Sequence, residues 1–224
     1  MTRVVVLRPE PGASATAERG RALGLEMALC PLFEVIPVAW VAPDSVRFEG
    51  LLLTSANAVR HAGPQLAALA QLPVYAVGGA TAEAARQADL DVVASGTGGV
   101  DALLSAMPAE LTLLHLTGEE RHVPKATQDI TPLVVYRSRP IDPAPNLAVA
   151  EGAIAMIHSP RSGARFAALV DAQGLARERI AIAAISAAAA EAVGSSWASI
   201  ATSDQPADEA LLALARRLCD NSAR

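Results

Sequence analysis

Lysine is almost missing from this chain of 224 residues. Lys125 is the only lysine among 18 basic residues, and the formal net charge is −5. A protein that follows a nucleic-acid backbone needs a stripe of basic residues, so nucleic acid is not expected as a partner. One lysine also confines Schiff-base chemistry to a single position, which disfavours pyridoxal phosphate as a cofactor.

Cysteine and long apolar runs are also scarce. Cys30 and Cys219 are the only cysteines, they lie far apart and they form no CxxC motif, which fits a reducing compartment. The apolar run at residues 4–7 is shorter than that of a signal peptide. The run at 180–190 is shorter than the roughly 20 residues of a membrane span. We expect a soluble, cytoplasmic protein without a membrane partner.

The chain lacks the common metal and nucleotide motifs. Its four histidines show no HExxH spacing and no accompanying cluster of cysteines or carboxylates, so no metal is expected. The glycines at 78–79 and 96–99 form neither GxGxxG nor GxxxxGK[ST], which disfavours NAD and ATP. We therefore expect no cofactor. A GxSxG motif is absent too, which makes a serine hydrolase a minor possibility.

An internal repeat is the main positive signal. Residues 51–60 resemble 155–165, residues 74–84 resemble 182–192, and residues 92–104 resemble 199–212. Each block is a short apolar run, a small polar turn and apolar residues at helical spacing, which predicts a strand, a turn and a helix. Successive units of this kind build a parallel sheet with helices on both faces, so the fold class is α/β with two similar doubly wound lobes.

Two proline-containing, β-prone segments, 33–38 and 130–136, bracket the first repeat. The opening unit comprises a strand at 4–7, a helix from about 14 to 25 and a strand near Leu32, and we assign it to the C-terminal lobe. The predicted domains are an outer lobe at 1–34 plus 140–224 and an inserted lobe at 41–130. A two-stranded connector at 35–40 and 131–139 joins them.

Small polar residues follow most of the predicted strands. Ligands of open parallel sheets bind beyond the carboxyl ends of the strands, and free N–H groups at helix starts accept anions. A polycarboxylate could be held in this way, although an ordinary helix cap is the favoured interpretation for each residue taken alone. The positions concerned include Arg8, Thr54, Ser55, Gly78, Thr81, Gly118, His158, Ser159 and Ser186.

Six short segments follow one another in a recognisable order: VVLRP at 5–9, LTSANAV at 53–59, AVGGATA at 76–82, LTG at 116–118 with Arg121, VY at 135–136 and IHSP at 157–160. Their order and spacing resemble the uroporphyrinogen-III synthase family along nearly the whole chain. The resemblance implies two lobes of flavodoxin-like topology, joined by a two-stranded connector, with the substrate held between them.

The same resemblance implies an activity in tetrapyrrole and heme biosynthesis. Hydroxymethylbilane, a linear tetrapyrrole rich in carboxylates, would lose its terminal hydroxyl to give an azafulvene-type cation. The last ring would then attack through its substituted carbon, and a spiro intermediate would break and reclose with that ring inverted. The products would be uroporphyrinogen III and water, which makes the enzyme a hydro-lyase. Because the substrate supplies its own nucleophile and leaving group, positioning would provide much of the rate enhancement.

Site residues follow from the resemblance as well. Tyr136 would assist loss of the hydroxyl, because a phenol is protonated at neutral pH and can donate. Without the resemblance, a tyrosine favoured in a half-buried strand is an equally good interpretation. The substrate carboxylates would be bound by Arg8, Ser55, Thr81, Gly118, Arg121 and Ser159. Capping serines and solvated arginines are the alternative interpretation for these residues.

Two positions depart from the family pattern. Ala189 stands where the second lobe usually has a threonine, and His158 stands before Ser159 in place of a more usual threonine. If the hydroxyl missing at 189 were essential, the chain would be inactive. The alternative hypothesis is therefore a non-catalytic, two-lobed binder of a tetrapyrrole or another anionic metabolite. We expect a monomer in either case.

Overall fold

A computed structural model describes residues 2–96, 98–120 and 123–222 of the chain. The chain divides into two compact units. The outer unit comprises Met1–Glu34 and Arg139–Arg224, and the inserted unit comprises Val35–Ser138. Within the described residues, no helix is both long enough and apolar enough to cross a membrane.

The described residues form eleven strands, seven α-helices and four short 3-10 helices. The strands are β1 (Val4–Val6), β2 (Met27–Leu29), β3 (Phe33–Pro37), β4 (Gly50–Leu53), β5 (Val74–Val77), β6 (Val92–Gly96), β7 (Thr112–Gly118), β8 (Asp129–Pro140), β9 (Ile154–Ile157), β10 (Ala181–Ala184) and β11 (Ser199–Thr202). The α-helices are α1 (Gly12–Ala22), α2 (Ala56–Ala62), α3 (Gly79–Gln87), α4 (Val100–Ser105), α5 (Pro160–Ala172), α6 (Ala187–Ala192) and α7 (Asp208–Ser222). The 3-10 helices are Ser45–Arg47, Gly63–Leu69, Ala148–Ala150 and Arg177–Arg179.

The outer unit contains a five-stranded parallel sheet in the order β11-β10-β9-β1-β2. Val4 of β1 pairs with Met27 on one side and with Ile154 on the other. The opening strands therefore share a sheet with the C-terminal strands. Numbered along this unit, the order is 2-1-3-4-5, which is the flavodoxin order.

Apolar residues cover both faces of the outer sheet, as a parallel sheet between helices requires. On one face Phe166 of α5 stacks on Trp197 at 5.5 Å between ring centroids, within a cluster of buried residues that includes Leu7 and Ile182. On the other face Val6 packs with residues of α1 and α7, among them Ala13, Ala17 and Leu211. The predicted doubly wound arrangement is confirmed in this unit.

The inserted unit contains a six-stranded sheet in the order β3-β8-β7-β4-β5-β6, in which β4 to β8 are mutually parallel. Counted from β4, the order of the five parallel strands is 5-4-1-2-3. If β7 and β8 are numbered first and second, and β4, β5 and β6 third to fifth, the order is 2-1-3-4-5, which is the order of the outer sheet. The two sheets are thus circular permutations of each other, with β7 and β8 in the positions that β1 and β2 occupy in the outer unit.

Strand β8 extends over twelve residues and contains the whole of the 131–139 segment, one of the two predicted connector strands. It pairs with β7 from Thr112 opposite Asp129 to Gly118 opposite Tyr136. On its other side lies β3, and next to this pair the N–H of Val38 donates to the carbonyl of Val135 at 2.9 Å. The two proline-containing segments are therefore neighbouring strands at one edge of the inserted sheet.

The first helix ends earlier than the sequence pattern predicts. It begins at Gly12 and ends at Ala22, whereas the predicted helix extends from about 14 to 25. Gly24 adopts φ +79°, and the N–H of Leu25 donates to the carbonyl of Gly20 at 3.0 Å. This left-handed glycine turn closes the helix, and the chain then enters β2, which ends before Leu32.

Gly50 of β4 should be intolerant of a side chain. A Cβ atom there would lie 2.6 Å from Cε2 of Tyr75 and 3.0 Å from a methyl group of Leu113. We expect Gly50→Ala to lower the free energy of unfolding by about 1–3 kcal/mol, because the added methyl overpacks the sheet. Gly79→Ala is the control, since no atom lies within 4 Å of a Cβ there, and it should be neutral or slightly stabilising. Denaturant unfolding of both variants checks this, and equal losses would contradict it.

Candidate functional site

The winding direction of the outer sheet reverses between β1 and β9. In open parallel sheets this switch point, beyond the carboxyl ends of the strands, is where ligands bind. Arg8 lies in the loop after β1, and His158 and Ser159 lie in the loop after β9. Asp208, the first residue of α7, contacts both loops.

Asp208 is the centre of a polar cluster at this switch point. Its carboxylate accepts from Thr16 Oγ1 at 3.0 Å and is joined to His158 Nε2 at 3.0 Å. Arg8 Nη1 lies 3.3 Å from Oδ1, and Arg19 Nη2 binds Oδ2. Because the Asp208 side chain is only 12% exposed, the carboxylate itself is largely shielded from water.

The pKa of the Asp208 carboxyl is well below its usual range. Burial opposes ionisation, but hydrogen bonds from His158, Arg19 and Thr16 together outweigh it. Asp208 is therefore ionised at neutral pH and can act only as an acceptor toward its partners.

Gly12 allows Arg8 to occupy its place in this cluster. A Cβ atom on Gly12 would lie 2.7 Å from Nε of Arg8 and 2.9 Å from Cζ, so the guanidinium lies directly over the first turn of α1. The Arg8 side chain is 35% exposed. Arg8 is thus held by a carboxylate while still reaching solvent.

Ser159 is a helix cap with both of its polar groups engaged. Its hydroxyl accepts from the N–H of Ser162 at 3.2 Å, and its own N–H donates to the Ser162 hydroxyl at 3.2 Å. The two hydroxyl oxygens lie 3.1 Å apart. This is a capping box, which fits the alternative that the sequence left open for this residue.

The inserted sheet has its own switch point, between β7 and β4. Ser55 follows β4 and caps α2, with its hydroxyl accepting from the N–H of Asn57 at 3.2 Å. Beside it, Thr54 Oγ1 lies 3.0 Å from Nε2 of His115, a β7 residue that is 2% exposed. At the end of β7 comes Gly118.

Tyr136 packs directly against Gly118. A Cβ atom on Gly118 would lie 2.7 Å from both Cε2 and Cζ of the tyrosine ring, and the β7–β8 register shifts between Thr117 and Gly118. The ring of His61 lies 6.2 Å from that of Tyr136. Burial, and to a lesser extent the charge of Arg60, lower the pKa of His61, which favours its neutral form. The structure therefore brings Tyr136 and Gly118 together, with Ser55 in a neighbouring loop of the same sheet edge.

Thr81 and Ala189 occupy equivalent places, each the third residue of its helix, and both are buried. Thr81 is 5% exposed in α3, and Ala189 is fully buried in α6 within the core of the outer unit. The N–H of Ala189 donates to the Ser186 hydroxyl at 3.3 Å. The hydroxyl absent at 189 would therefore belong to a packed position of the core.

Of the other predicted site residues, Arg121 lies outside the described residues. The described part of the chain holds no cluster of three or more His, Cys, Asp or Glu side chains that could bind a metal ion. Sequence reasoning did not identify Asp208, because an acidic residue that starts an apolar helix looks like an ordinary favourable charge at a helix N-terminus. Its contacts lie as many as 200 positions away in the chain.

A family model described as Uroporphyrinogen-III synthase HemD matches residues 14–213. The chain belongs to the uroporphyrinogen-III synthase family. A curated uroporphyrinogen-III synthase from Chlorobaculum parvum is 34% identical over 92 residues, covering 37% of this chain and 37% of that protein. The chain thus spans little more than a third of the length of the curated relative it matches.

Solved structures of uroporphyrinogen-III synthases share the fold. The uroporphyrinogen-III synthetase of Helicobacter pylori has a TM-score of 0.64 at 20% identity, covering 97% of this chain and 100% of its own. A mutant uroporphyrinogen III synthase from the extremely thermophilic bacterium Thermus thermophilus has a TM-score of 0.50 at 18% identity, covering 98% and 100%. At this identity the likeness concerns the fold, and it agrees with the predicted α/β class.

In this member of the uroporphyrinogen-III synthase family, Asp208 should contribute to stability in a pH-dependent way. A carboxyl whose pKa is lowered by folding stabilises the folded state above its unfolded pKa of about 3.9, and the contribution is lost as the pH falls through the lower folded value. We expect Asp208→Asn to lower the free energy of unfolding at pH 7 by about 1.5–3 kcal/mol. The difference in the free energy of unfolding between this variant and the unmodified chain should become smaller below about pH 4.

Denaturant unfolding at a series of pH values measures this effect. The control is Asp204→Asn, because the Asp204 side chain is 85% exposed and lies 3.8 Å from Arg217. Such a surface pair should contribute close to nothing. A destabilisation by Asp208→Asn that is the same at pH 7 and pH 3 would contradict a lowered pKa of Asp208 in the folded chain.

Proposed function

We propose that this chain is a uroporphyrinogen-III synthase, which converts hydroxymethylbilane to uroporphyrinogen III and water. The observation that carries the proposal is the family match over residues 14–213. Its support in the structure is Tyr136, held against Gly118 at the carboxyl end of β7. A phenol in such a place can serve the one step of this reaction that needs a proton donor.

In the proposed mechanism, the O–H of Tyr136 donates its proton to the terminal hydroxyl of the substrate. The carbon–oxygen bond breaks with its electron pair, water leaves, and an azafulvene-type cation remains. The last pyrrole attacks this cation through its substituted carbon to form the spiro intermediate. The bond from that carbon to its original methylene bridge then breaks, and the bridge bonds to the unsubstituted α-carbon of the inverted ring. The proton lost from this α-carbon returns to the oxygen of Tyr136, which gives the product. General acid catalysis of this kind contributes typically about 10²–10⁴-fold.

Two side chains of the inserted unit have a hydroxyl that could bind a substrate carboxylate. The Ser55 oxygen accepts from the N–H of Asn57, which leaves its own hydrogen free for donation. Thr81 is the weaker candidate of the two, because it is 5% exposed. Its N–H donates to the carbonyl of Gly78 at 3.1 Å, so Thr81 would act through its hydroxyl. Gly118 would contribute backbone groups, and Arg121 enters the proposal on the family resemblance alone.

Arg8 is the stronger candidate for carboxylate binding in the outer unit. Its guanidinium is partly exposed and has donors beyond the one that faces Asp208. Ser159 is the weaker candidate, because its hydroxyl and N–H are engaged with Ser162 in the capping box. A contact from Ser159 to the substrate would compete with this cap.

No observation favours the alternative of a non-catalytic binder. That hypothesis depended on Ala189, and Ala189 is a fully buried core residue. The expectations of a cytoplasmic location and of a monomer stay predictions. The absence of nucleic-acid binding also stays a prediction, and a net charge of −5 with a single lysine supports it.

The decisive assay feeds freshly generated hydroxymethylbilane to the purified chain and separates the type I and type III isomers by chromatography. We expect predominantly the type III isomer, because only enzymatic inversion of the last ring produces it. Formation of the type I isomer alone, which arises without catalysis, would overturn the proposal and favour a binding function.

Tyr136→Phe should lower the rate of type III formation by about 100-fold or more, because it removes the proposed proton donor and keeps the ring that packs on Gly118. The matched control is Tyr75→Phe at the only other tyrosine, which packs beside Gly50 within the sheet. This control should retain nearly full activity. Equal rates for the two variants in the same isomer assay would exclude Tyr136 as the donor.

A further inference from the structure

Among the described residues, two buried side-chain atoms have no hydrogen-bond partner: Oε1 of Gln128 and Nδ1 of His158. Buried polar atoms are nearly always paired, so an unpaired one calls for an explanation. The His158 side chain is 8% exposed and follows β9 at the switch point of the outer sheet. Its unpaired nitrogen therefore lies where an open parallel sheet binds its ligands.

Asp208 fixes the chemical character of this nitrogen. An ionised carboxylate can only accept, so the hydrogen of the 3.0 Å contact between Nε2 of His158 and Oδ1 of Asp208 belongs to Nε2. A neutral imidazole that carries its hydrogen on Nε2 presents a lone pair at Nδ1. In this neutral form Nδ1 of His158 is an acceptor, which matches an N–H or O–H donor and repels a carboxylate.

The charged groups around the imidazole are already in contact with the same carboxylate. Arg8 and Arg19 both bind Asp208, and their side chains are 35% and 44% exposed. These cations suit the carboxylates of an anionic ligand. The acceptor at Nδ1 suits a different part of that ligand, one that carries a polar hydrogen.

We propose that Nδ1 of His158 accepts a hydrogen bond from a pyrrole N–H of the tetrapyrrole substrate. The inference rests on the proposed function, because it identifies which group of that substrate the outer unit recognises. Pyrrole N–H groups are donors without acceptor capacity, and each needs an acceptor once it leaves water. Nδ1 is buried, so neighbouring side chains must move as the substrate enters. If a substrate carboxylate binds Arg8 and separates it from Asp208, the Asp208 carboxylate keeps its contact with the His158 imidazole.

Two substitutions of His158 distinguish the role of Nδ1 from that of Nε2. The side-chain carbonyl of Asn lies near the position of Nδ1, so His158→Asn keeps an acceptor there and gives up the contact with Asp208. The longer Gln places its amide near the position of Nε2, so His158→Gln keeps a donor to Asp208 and gives up the acceptor. Both variants replace the ring with an uncharged amide, which makes each the control for the other.

Steady-state kinetics with freshly generated hydroxymethylbilane should distinguish the variants. We expect His158→Gln to raise KM by about tenfold with little change in kcat, because a buried pyrrole N–H would lose its acceptor. His158→Asn should stay within about threefold of the unmodified KM. Denaturant unfolding of both variants is the control. His158→Asn loses the contact with Asp208 and should be the less stable variant, so a higher KM for His158→Gln would reflect the lost acceptor and not lost stability.

The tautomer provides a readout that is independent of activity. In the intact, ligand-free chain, nitrogen-15 NMR of His158 should show the hydrogen on Nε2 at neutral pH. A hydrogen on Nδ1, or a KM for His158→Asn as high as that for His158→Gln, would overturn this inference alone. Absence of type III product from the unmodified chain would overturn the proposed function and this inference with it.

Discussion

The outer unit depends on the pairing of β1 with two partners from distant parts of the chain. β1 lies between β2 and β9, and Val4 pairs with both. Arg8, immediately beyond β1, meets Asp208 at a separation of 200 residues. Without β1 the sheet would lose the strand that joins β2 to β9, and the switch point that places Arg8, His158 and Asp208 together would not exist.

The two sheets reach the same strand order by different routes. In the outer unit the pair β1–β2 comes first in the chain, and in the inserted unit the corresponding pair β7–β8 comes last. Each switch point therefore lies between a strand that belongs to the repeated blocks, β9 or β4, and a strand outside those blocks, β1 or β7. This explains why Tyr136 and Gly118 are found on β8 and β7, whereas Arg8 follows β1.

The sequence predicted the α/β class and the repeated blocks, because both rest on local apolar runs followed by small polar residues. It also predicted that the opening strand belongs to the C-terminal sheet, because the opening unit has no analogue at the start of the second repeat. Tyr136 as a site residue stays a prediction, and it came from a resemblance and not from any local signal. It could not predict the cluster around Asp208, since Thr16 and Asp208 are 192 positions apart and nothing local to either indicates the other. The correspondence of β7–β8 with β1–β2 was likewise invisible, because LLHLTG and VVVLRP share an apolar character and little else.

The position of β1 also has a consequence for biosynthesis on the ribosome. All of β4 to β8 leaves the exit tunnel before β9 does, so the inserted unit has its complete set of strands while β1 still has β2 as its only neighbour. Domains generally fold as units during synthesis, and pairings between distant residues form late because the intervening chain must first be closed into a loop. In the nascent chain, the edge of β1 that pairs with β9 therefore stays unpaired until β9 has been translated.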